Sequence, residues 1–597
     1  MFATLAQLSP LMCVLLAHCS GPIAPQDASL DTVADGAMTS DAPGGEVVDG
    51  SATTDAQDDG DGAQMPSDSP VPEQPVTVST SRGMVVGRAR DGVASWLGIP
   101  YAAAPVGARR WRAPSQPDAW VMPRDASQKG PACPQSPARD ALSGQSYAIS
   151  EDCLSVNVWT GAATITNALN LPVIVFIHGG GFVSGTAALD LYDGRTLAQR
   201  GAQVVVTINY RLGQLGFLAH PSLRAEQGDN TAGPGNYGFL DQQQALRWVR
   251  DEIRNFGGDP NNVTIVGESA GSLSVCLHMV APGSRGLFHR AISESASCPF
   301  FVNQLRTMPD PRFESAETLG VSMLRALNCE AMATPELQLQ CARAKTVEQV
   351  LMAEPRPAEL NIRDARYQPV IDGVVIPARP WTMFQSGMFA RVPYLMGTNR
   401  DEGTAFTLGR AINNEADYRA AIAQLLPLPA MQLASATDEI VTRLWPSASY
   451  PSVKDAYNDF VGDLAFVCPA RAQARFVANA PMPASAYVYH FTRENQVGRN
   501  LALGVFHTAE LPYVFGNFVR PFVRTAMDTA VSNTVMDAWT RFARSGDPNG
   551  PMLVPAWPAY SMANDSLYVL DTTTRVERNF RSAKCDAVDR YLAGLGQ

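Results

Sequence analysis

The stretch NVTIVGESAGSLS, residues 262–274, runs an apolar, β-branched segment into two glycines with Ser269 held between them. A serine at such a junction ordinarily just caps the helix that follows. Here Gly267 and Gly271 match the pattern G-x-S-x-G, in which missing side chains let a strand-to-helix turn tighten until the hydroxyl stands exposed as a nucleophile. Serine attacks a carbonyl carbon only when a base takes its proton and donors already in place receive the oxyanion. Such donors are offered by HGGGF, residues 178–182, where three consecutive glycines after a strand-like run free main-chain N–H groups.

The base can be sought by elimination, because the order nucleophile, acid, histidine leaves few of the seven histidines to choose from. Only His490 and His507 lie far enough past Ser269 to leave room for an acid between. His490 sits in the alternating run AYVYHF and reads as a structural residue on a sheet. His507 follows Gly504 in LGVFHTAELPYVFG, a loop able to present an imidazole, and is the expected base. Spacing alone leaves the acid open.

Hydrophobic patterning describes the elements that must bring these groups together. LPVIVFIH (171–178) and AQVVVTINY (202–210) are near-continuous apolar runs, as strands covered on both faces require. Ala245, Leu246, Val249 and Ile253 recur at helical spacing in DQQQALRWVRDEIRNFGG, and Gly257 and Gly258 stop that helix. Strand, helix and strand ending at GESAG predict a parallel α/β sheet.

At 597 residues and 46% hydrophobic content, the chain can bury a large core. Its net charge of −11 is unevenly spread: residues 1–81 hold twelve Asp and Glu and no Lys or Arg, which leaves 46 basic and 45 acidic residues in 82–597. The acidity therefore belongs to the tail and says nothing of substrate charge, and no basic patch points to nucleic acid. Residues 1–19, MFATLAQLSPLMCVLLAHC, hold an apolar run too short for a bilayer but long enough for the core of a secretory signal, though no Lys or Arg precedes it. The ending LLAHC resembles a bacterial lipoprotein processing site in which Cys19 bears the lipid, although His18 stands where a small residue is preferred. Export is expected, to the extracellular space or to a lipid anchor in a bacterial cell envelope; a disordered N-terminus is the alternative. Residues 20–78, rich in Asp, Ala, Gly, Ser, Thr and Pro, cannot offset their ordering entropy and are expected as a disordered acidic linker. Residues 79–597 are then the folded domain, and no later apolar run reaches spanning length.

GESAGS, HGGGF, SEDCLSVNVW (150–159), GIPYAAAPVGARRW (98–111) and GNYGFLDQQQALRWV (235–249) together resemble the type B carboxylesterase family, which includes cholinesterases and para-nitrobenzyl esterases. The resemblance implies an α/β-hydrolase fold: a mostly parallel central sheet flanked by helices, with large insertions. It implies a serine carboxylesterase acting on small to medium carboxylic esters, nearest in kind to the bacterial para-nitrobenzyl esterases. It also supplies the acid. The family's NRDEG-like loop matches Asn399 to Gly403, so Glu402 completes a triad with Ser269 and His507, and Asp401 is the adjacent rival. The oxyanion donors it implies are the amides of Gly180, Gly181 and Ala270. A triad of this kind needs no metal or organic cofactor and loses activity as its histidine protonates, near the unperturbed pKa of about 6.5.

The family pattern further pairs Cys133 with Cys153, Cys329 with Cys341 and Cys468 with Cys585. Cys276 is left as a small buried hydrophobe, and Cys298 is left over. Departures bear on the substrate. The loop PQSPARDALSGQSYAISED lacks the tryptophan with which cholinesterases hold a quaternary ammonium, and offers only Tyr147, so choline esters are not the expected substrates. SESAS (293–297) lacks the family's usual glycine after the serine matching Ser295, which bears on a supporting shell where Ser295 and Glu268 could hydrogen-bond. Phe182, Phe300, Phe301 and Phe406 sit near motif residues and are candidates for an acyl pocket or plain core. A lipase or other acyl hydrolase, and a non-catalytic recognition protein of the same fold, are the alternative functions.

Overall fold

The computed structural model describes residues 73–593 apart from 141, 167, 228–232, 298–302, 307–313, 354–365, 427 and 552. The signal expected at 1–19, Cys19 with its lipid, linker residues 20–72, Cys298, Phe300 and Phe301 lie outside the described residues.

The apolar runs form one large sheet. Its strands are β1 (Gln74–Thr80), β2 (Gly83–Arg90), β3 (Val93–Pro100), β4 (Ser155–Thr160), β5 (Leu171–Ile177), β6 (Val204–Ile208), β7 (Gly258–Glu268), β8 (Arg290–Glu294), β9 (Tyr394–Asn399), β10 (Ala486–Phe491), β11 (Ser566–Leu570) and β12 (Arg575–Arg578). Their spatial order is β1-β2-β3-β4-β6-β5-β7-β8-β9-β10-β11-β12, with the two-residue strand Arg124–Asp125 beside β2. From β6 to β11 every pairing is parallel, and the margins β1 to β4 and β12 are antiparallel.

The central strands read as continuous apolar runs because both faces are covered. Val173, Val175 and Ile177 of β5 enter one core, while Ile174 and Phe176 enter the other. On the first face lies α1 (Tyr237–Glu252), whose Ala245, Leu246 and Val249 are fully buried. A short turn then closes at Gly257, whose φ of 87° favours glycine. The helix α2 (Ala270–Val280) follows Ser269 on that same face. A third apolar cluster joins α3 (Val453–Gly462), the start of α4 (Cys468–Ala478) and α6 (Ser582–Ala593). The other face of the sheet is covered by α5 (Ala526–Ser545) through Val535, Trp539 and Phe542.

Two expectations need correction. The sheet begins at Gln74 and not at residue 79: β1 pairs along β2 from Gln74↔Ala89 to Thr80↔Gly83, and Trp96 donates to the Val76 carbonyl. An edge strand of seven residues with one buried side chain, Val78, carries too little apolar alternation to stand out from the linker before it. Cys276 is disulfide-bonded, not a plain buried hydrophobe. Disulfides also join Cys133 to Cys153, Cys329 to Cys341 and Cys468 to Cys585. Among the described residues no helix is long and apolar enough to cross a membrane.

Candidate active site

Ser269 stands between β7 and α2 with φ 55° and ψ −122°, a conformation that costs a non-glycine residue about 1–3 kcal/mol. The two flanking glycines make it possible through close approach. A side chain at Gly267 would meet the backbone of Gly271 at 2.3 Å, and one at Gly271 would meet the Ile177 carbonyl at 1.9 Å. The amide of Ser269 is tied to the Glu294 carbonyl at 3.0 Å, and the serine itself stays half-exposed. The turn thus holds its hydroxyl up at the carboxyl ends of the parallel strands, where ligands of open α/β sheets bind.

The glycine run leaves the end of the neighbouring strand β5 and passes directly over the serine. A side chain on Gly179 would lie 2.9 Å from Ser269 Cβ, and one on Gly180 would strike the Ser184 carbonyl at 2.2 Å. Gly180, Gly181 and Phe182 all take positive φ, at 99°, 62° and 63°. Among the described residues the amides of Gly180 and Gly181 donate to no protein acceptor. Ala270 opens α2, where a first-turn amide has no partner within the helix. The loop is braced from the Cys133–Cys153 segment: Gln135 accepts from the Gly185 amide at 2.8 Å and from the Tyr147 hydroxyl at 2.9 Å, and donates to the Gly185 carbonyl at 2.8 Å.

Glu402 and His507 come from the loops after β9 and β10. His507 Nδ1 lies 2.7 Å from Glu402 Oε2, and Glu402 Oε1 accepts the Asn399 amide at 2.7 Å. Asp401, the rival, does other work: its Oδ2 accepts the Val505 amide at 2.6 Å and pairs with Arg400 at 2.8 Å, while its own amide donates to the Val505 carbonyl. It laces the two loops together. With Nδ1 committed to Glu402, Nε2 is the nitrogen left to act; it has no hydrogen-bond partner and lies 3.3 Å from Glu268 Oε1, the carboxylate adjoining Ser269 in the chain. His490, by contrast, is buried on β10 beside Phe580, and burial pushes its pKa down to about 3.

Charge around the imidazole is one-sided. Glu268, Glu294, Glu402 and Glu510 are each at most 1% exposed. Burial pushes Glu268 up to about 8 in spite of His507, and pushes Glu294 well above the usual carboxylate range. It also pushes Glu510 up to about 6, helped by Glu402. Burial by itself pushes the His507 pKa down, but Glu268 and then Glu402 outweigh it and raise it to about 9. The ordinary value of about 6.5 expected from sequence is therefore corrected upward.

Glu510 is the site residue that sequence reasoning missed. Its Oε1 accepts from Ser295 Oγ at 2.8 Å, and its Oε2 accepts from Asn399 Nδ2. Ser295 thus bonds Glu510 and not Glu268. The available signal was a glutamate three residues after His507 in the otherwise apolar stretch FHTAELPYVFG. Of the aromatic candidates, Phe406 packs edge-on to His507 with ring centroids 4.9 Å apart, whereas Phe182 is 2% exposed and packs on Phe217.

Known proteins resemble this chain over most of its length. The model of the Carboxylesterase family matches residues 74–588. The para-nitrobenzyl esterase of Bacillus subtilis is 35% identical over 517 residues, 85% of this chain and 97% of that protein. A cholinesterase of Mus musculus is 32% identical over 542 residues, 86% of each chain. Among solved structures, a PNB esterase aligns with a TM-score of 0.71 at 35% identity, covering 86% of this chain and 99% of its own. A thermophilic PNB esterase gives 0.71 at 34% identity with the same coverage.

Proposed function

The chain belongs to the carboxylesterase family and is a serine carboxylesterase of α/β-hydrolase fold; from that premise we propose that Ser269, His507 and Glu402 are its catalytic residues. The observation that carries the assignment is the strained Ser269 turn together with His507, which is bound to Glu402 through Nδ1 and whose Nε2 lies 3.3 Å from the carboxylate of Glu268, the residue just before Ser269. His507 Nε2 takes the proton of Ser269 as Oγ attacks the ester carbonyl, and Glu402 holds the ring tautomer and stabilises the imidazolium. The amides of Gly180, Gly181 and Ala270 receive the oxyanion. His507 then protonates the departing alcohol, and water activated by the same nitrogen releases the acid from the acyl-enzyme. Every step is a proton transfer or an acyl transfer among residues of this chain.

Small to medium acyl esters are the proposed substrates, with choline esters disfavoured because the Cys133–Cys153 loop holds no tryptophan. A panel of para-nitrophenyl esters from acetate to palmitate tests this. Turnover is expected to peak among the short chains; a maximum at palmitate that appears only above its solubility limit favours a lipase, and no turnover of any ester favours a recognition protein. Export is also proposed, supported by three disulfides that an oxidising compartment would maintain. Lipidation of Cys19 is proposed from the LLAHC ending alone, and mass spectrometry of the mature N-terminus decides it.

A further inference from the structure

A second pocket lies at the far end of the nucleophile helix. Its volume is about 670 Å³, within the range of small-molecule sites. The wall is apolar, built from Phe288, Met383, Phe389 and Val392, and it carries two guanidinium groups, Arg285 and Arg391, with no carboxylate among its lining residues. Neither arginine forms an ion pair with a described residue. Arg391 is held in place: one nitrogen donates to the Gly387 carbonyl at 2.6 Å, and its guanidinium carbon sits 4.1 Å from the Phe389 ring centroid. Its other terminal nitrogen, Nη1, is buried and has no hydrogen-bond partner.

Nη1 is shut off from the pocket, but an apolar wall that carries two guanidinium groups and no carboxylate is electropositive, and an anion balances it. The other lining side chains are all apolar. We propose that this pocket binds an amphipathic carboxylate, with its anionic head on Arg391 and Arg285 and its apolar body against Phe288, Met383 and Val392. The pocket is separate from the catalytic residues. Its lining begins at Pro282, just past the end of α2, a helix of 11 residues and hence about 16 Å long whose opposite end adjoins Ser269. The Ala390 amide bonds to the Met279 carbonyl at 2.7 Å, and β9, which leads to Glu402, starts two residues after Val392.

The proposal does not depend on the triad, because its readout is ligand binding and not turnover. Decanoate is titrated into the full chain by calorimetry, with methionine-methyl spectra following Met383 and Met388. Saturable binding that moves those two methyl signals is expected, with decanol and decyltrimethylammonium binding about tenfold more weakly or worse. Arg391→Gln is expected to weaken decanoate by about tenfold or more, and Ala390→Trp, which fills the pocket, to abolish the shift of Met388. Should Arg391→Gln fold poorly, the filled variant and the comparison of head groups on the parent protein still decide. Decanoate that leaves both methyl signals unmoved, or binds no better than decyltrimethylammonium, overturns the proposal.

Discussion

Two clusters of ionisable groups in this molecule, one half-buried around Asp463 and one fully buried around His507, follow opposite rules. Between α3 and α6, Asp459 and Asp463 meet two cations: Arg581 lies 2.5 Å from Asp459 and 2.6 Å from Asp463, and Lys584 lies 2.8 Å from Asp459. Tyr450 donates to Asp459 Oδ2, the oxygen that Lys584 also bonds, at 2.7 Å, and Trp445 donates to Asp463 Oδ2 at 3.0 Å. Around His507 the count is inverted, with four carboxylates and a single imidazole. There, Glu268 Oε1, Glu294 Oε2, Asn399 Oδ1 and His507 Nε2 all lack a hydrogen-bond partner, although the first and last approach to 3.3 Å. Burying charge is costly everywhere, so the satisfied cluster serves the fold and the unsatisfied one is kept for chemistry.

The largest effect that could break this contrast is at Ser269, the proposed nucleophile. Ser269→Ala is expected to lower kcat by about a millionfold on para-nitrophenyl butyrate, the scale of losing a triad nucleophile, and to abolish labelling by an organophosphate. Activity near that of the parent would remove the chemical reading of the cluster altogether. Next comes Glu402→Gln, expected to cost about ten-thousandfold in kcat because the amide no longer holds the productive tautomer. Asp401→Asn should cost far less, since Asp401 contacts Val505 and Arg400 and not the imidazole. The reverse order would transfer the acid by one residue.

The paired cluster makes the converse prediction. Arg581→Met removes the 2.6 Å partner of buried Asp463 and leaves Asp459 with Lys584 and Tyr450, and is expected to cost about 3 kcal/mol of stability, the low end for breaking a buried pair, read from the urea midpoint, with kcat of the folded enzyme close to the parent's. The tie between α3 and α6 is also made by Cys468–Cys585, so the variant should still fold. A variant of parental stability with depressed kcat would show that the two clusters are not distinct in kind.

The difference between the clusters also governs what the sequence could disclose. The elbow was legible because its cause is local: two glycines within five residues, after a β-branched run, are there to admit Ile177 and Gly271 backbone. His507 was legible by elimination, since histidine is scarce. Glu402 needed a family resemblance, because Asp401 beside it has the same chemistry and only the fold turns one toward Nδ1 and the other toward Val505. Long-range pairings left no local trace. Arg581 meets Asp459 across 122 positions, and Ser295 meets Glu510 across 215, so neither follows from any periodicity. Cys276 was read as apolar because it sits among buried positions of α2, where a half-cystine and a hydrophobe look alike.

The smallest expected effect is the most discriminating about the unpaired cluster. In the parent, three carboxylates bear on His507: Glu268 from the elbow, Glu402 from the loop after β9, and Glu510 from its own loop. Among them Glu268 contributes the largest upward push, against a downward push from burial. Only imidazole with Nε2 unprotonated can accept the Ser269 proton, so a raised pKa carries the acid limb of kcat/KM above the ordinary value of about 6.5. Glu268→Gln keeps the shape of the side chain and removes its charge, so the His507 pKa falls and the acid limb moves to lower pH by about one unit. Below that limb the variant should outperform its own plateau-scaled parent, while the plateau changes by much less than in Glu402→Gln. Superimposable profiles would mean that Glu268 supports the turn without acting through its charge, and the contrast between the two clusters would then rest on geometry alone.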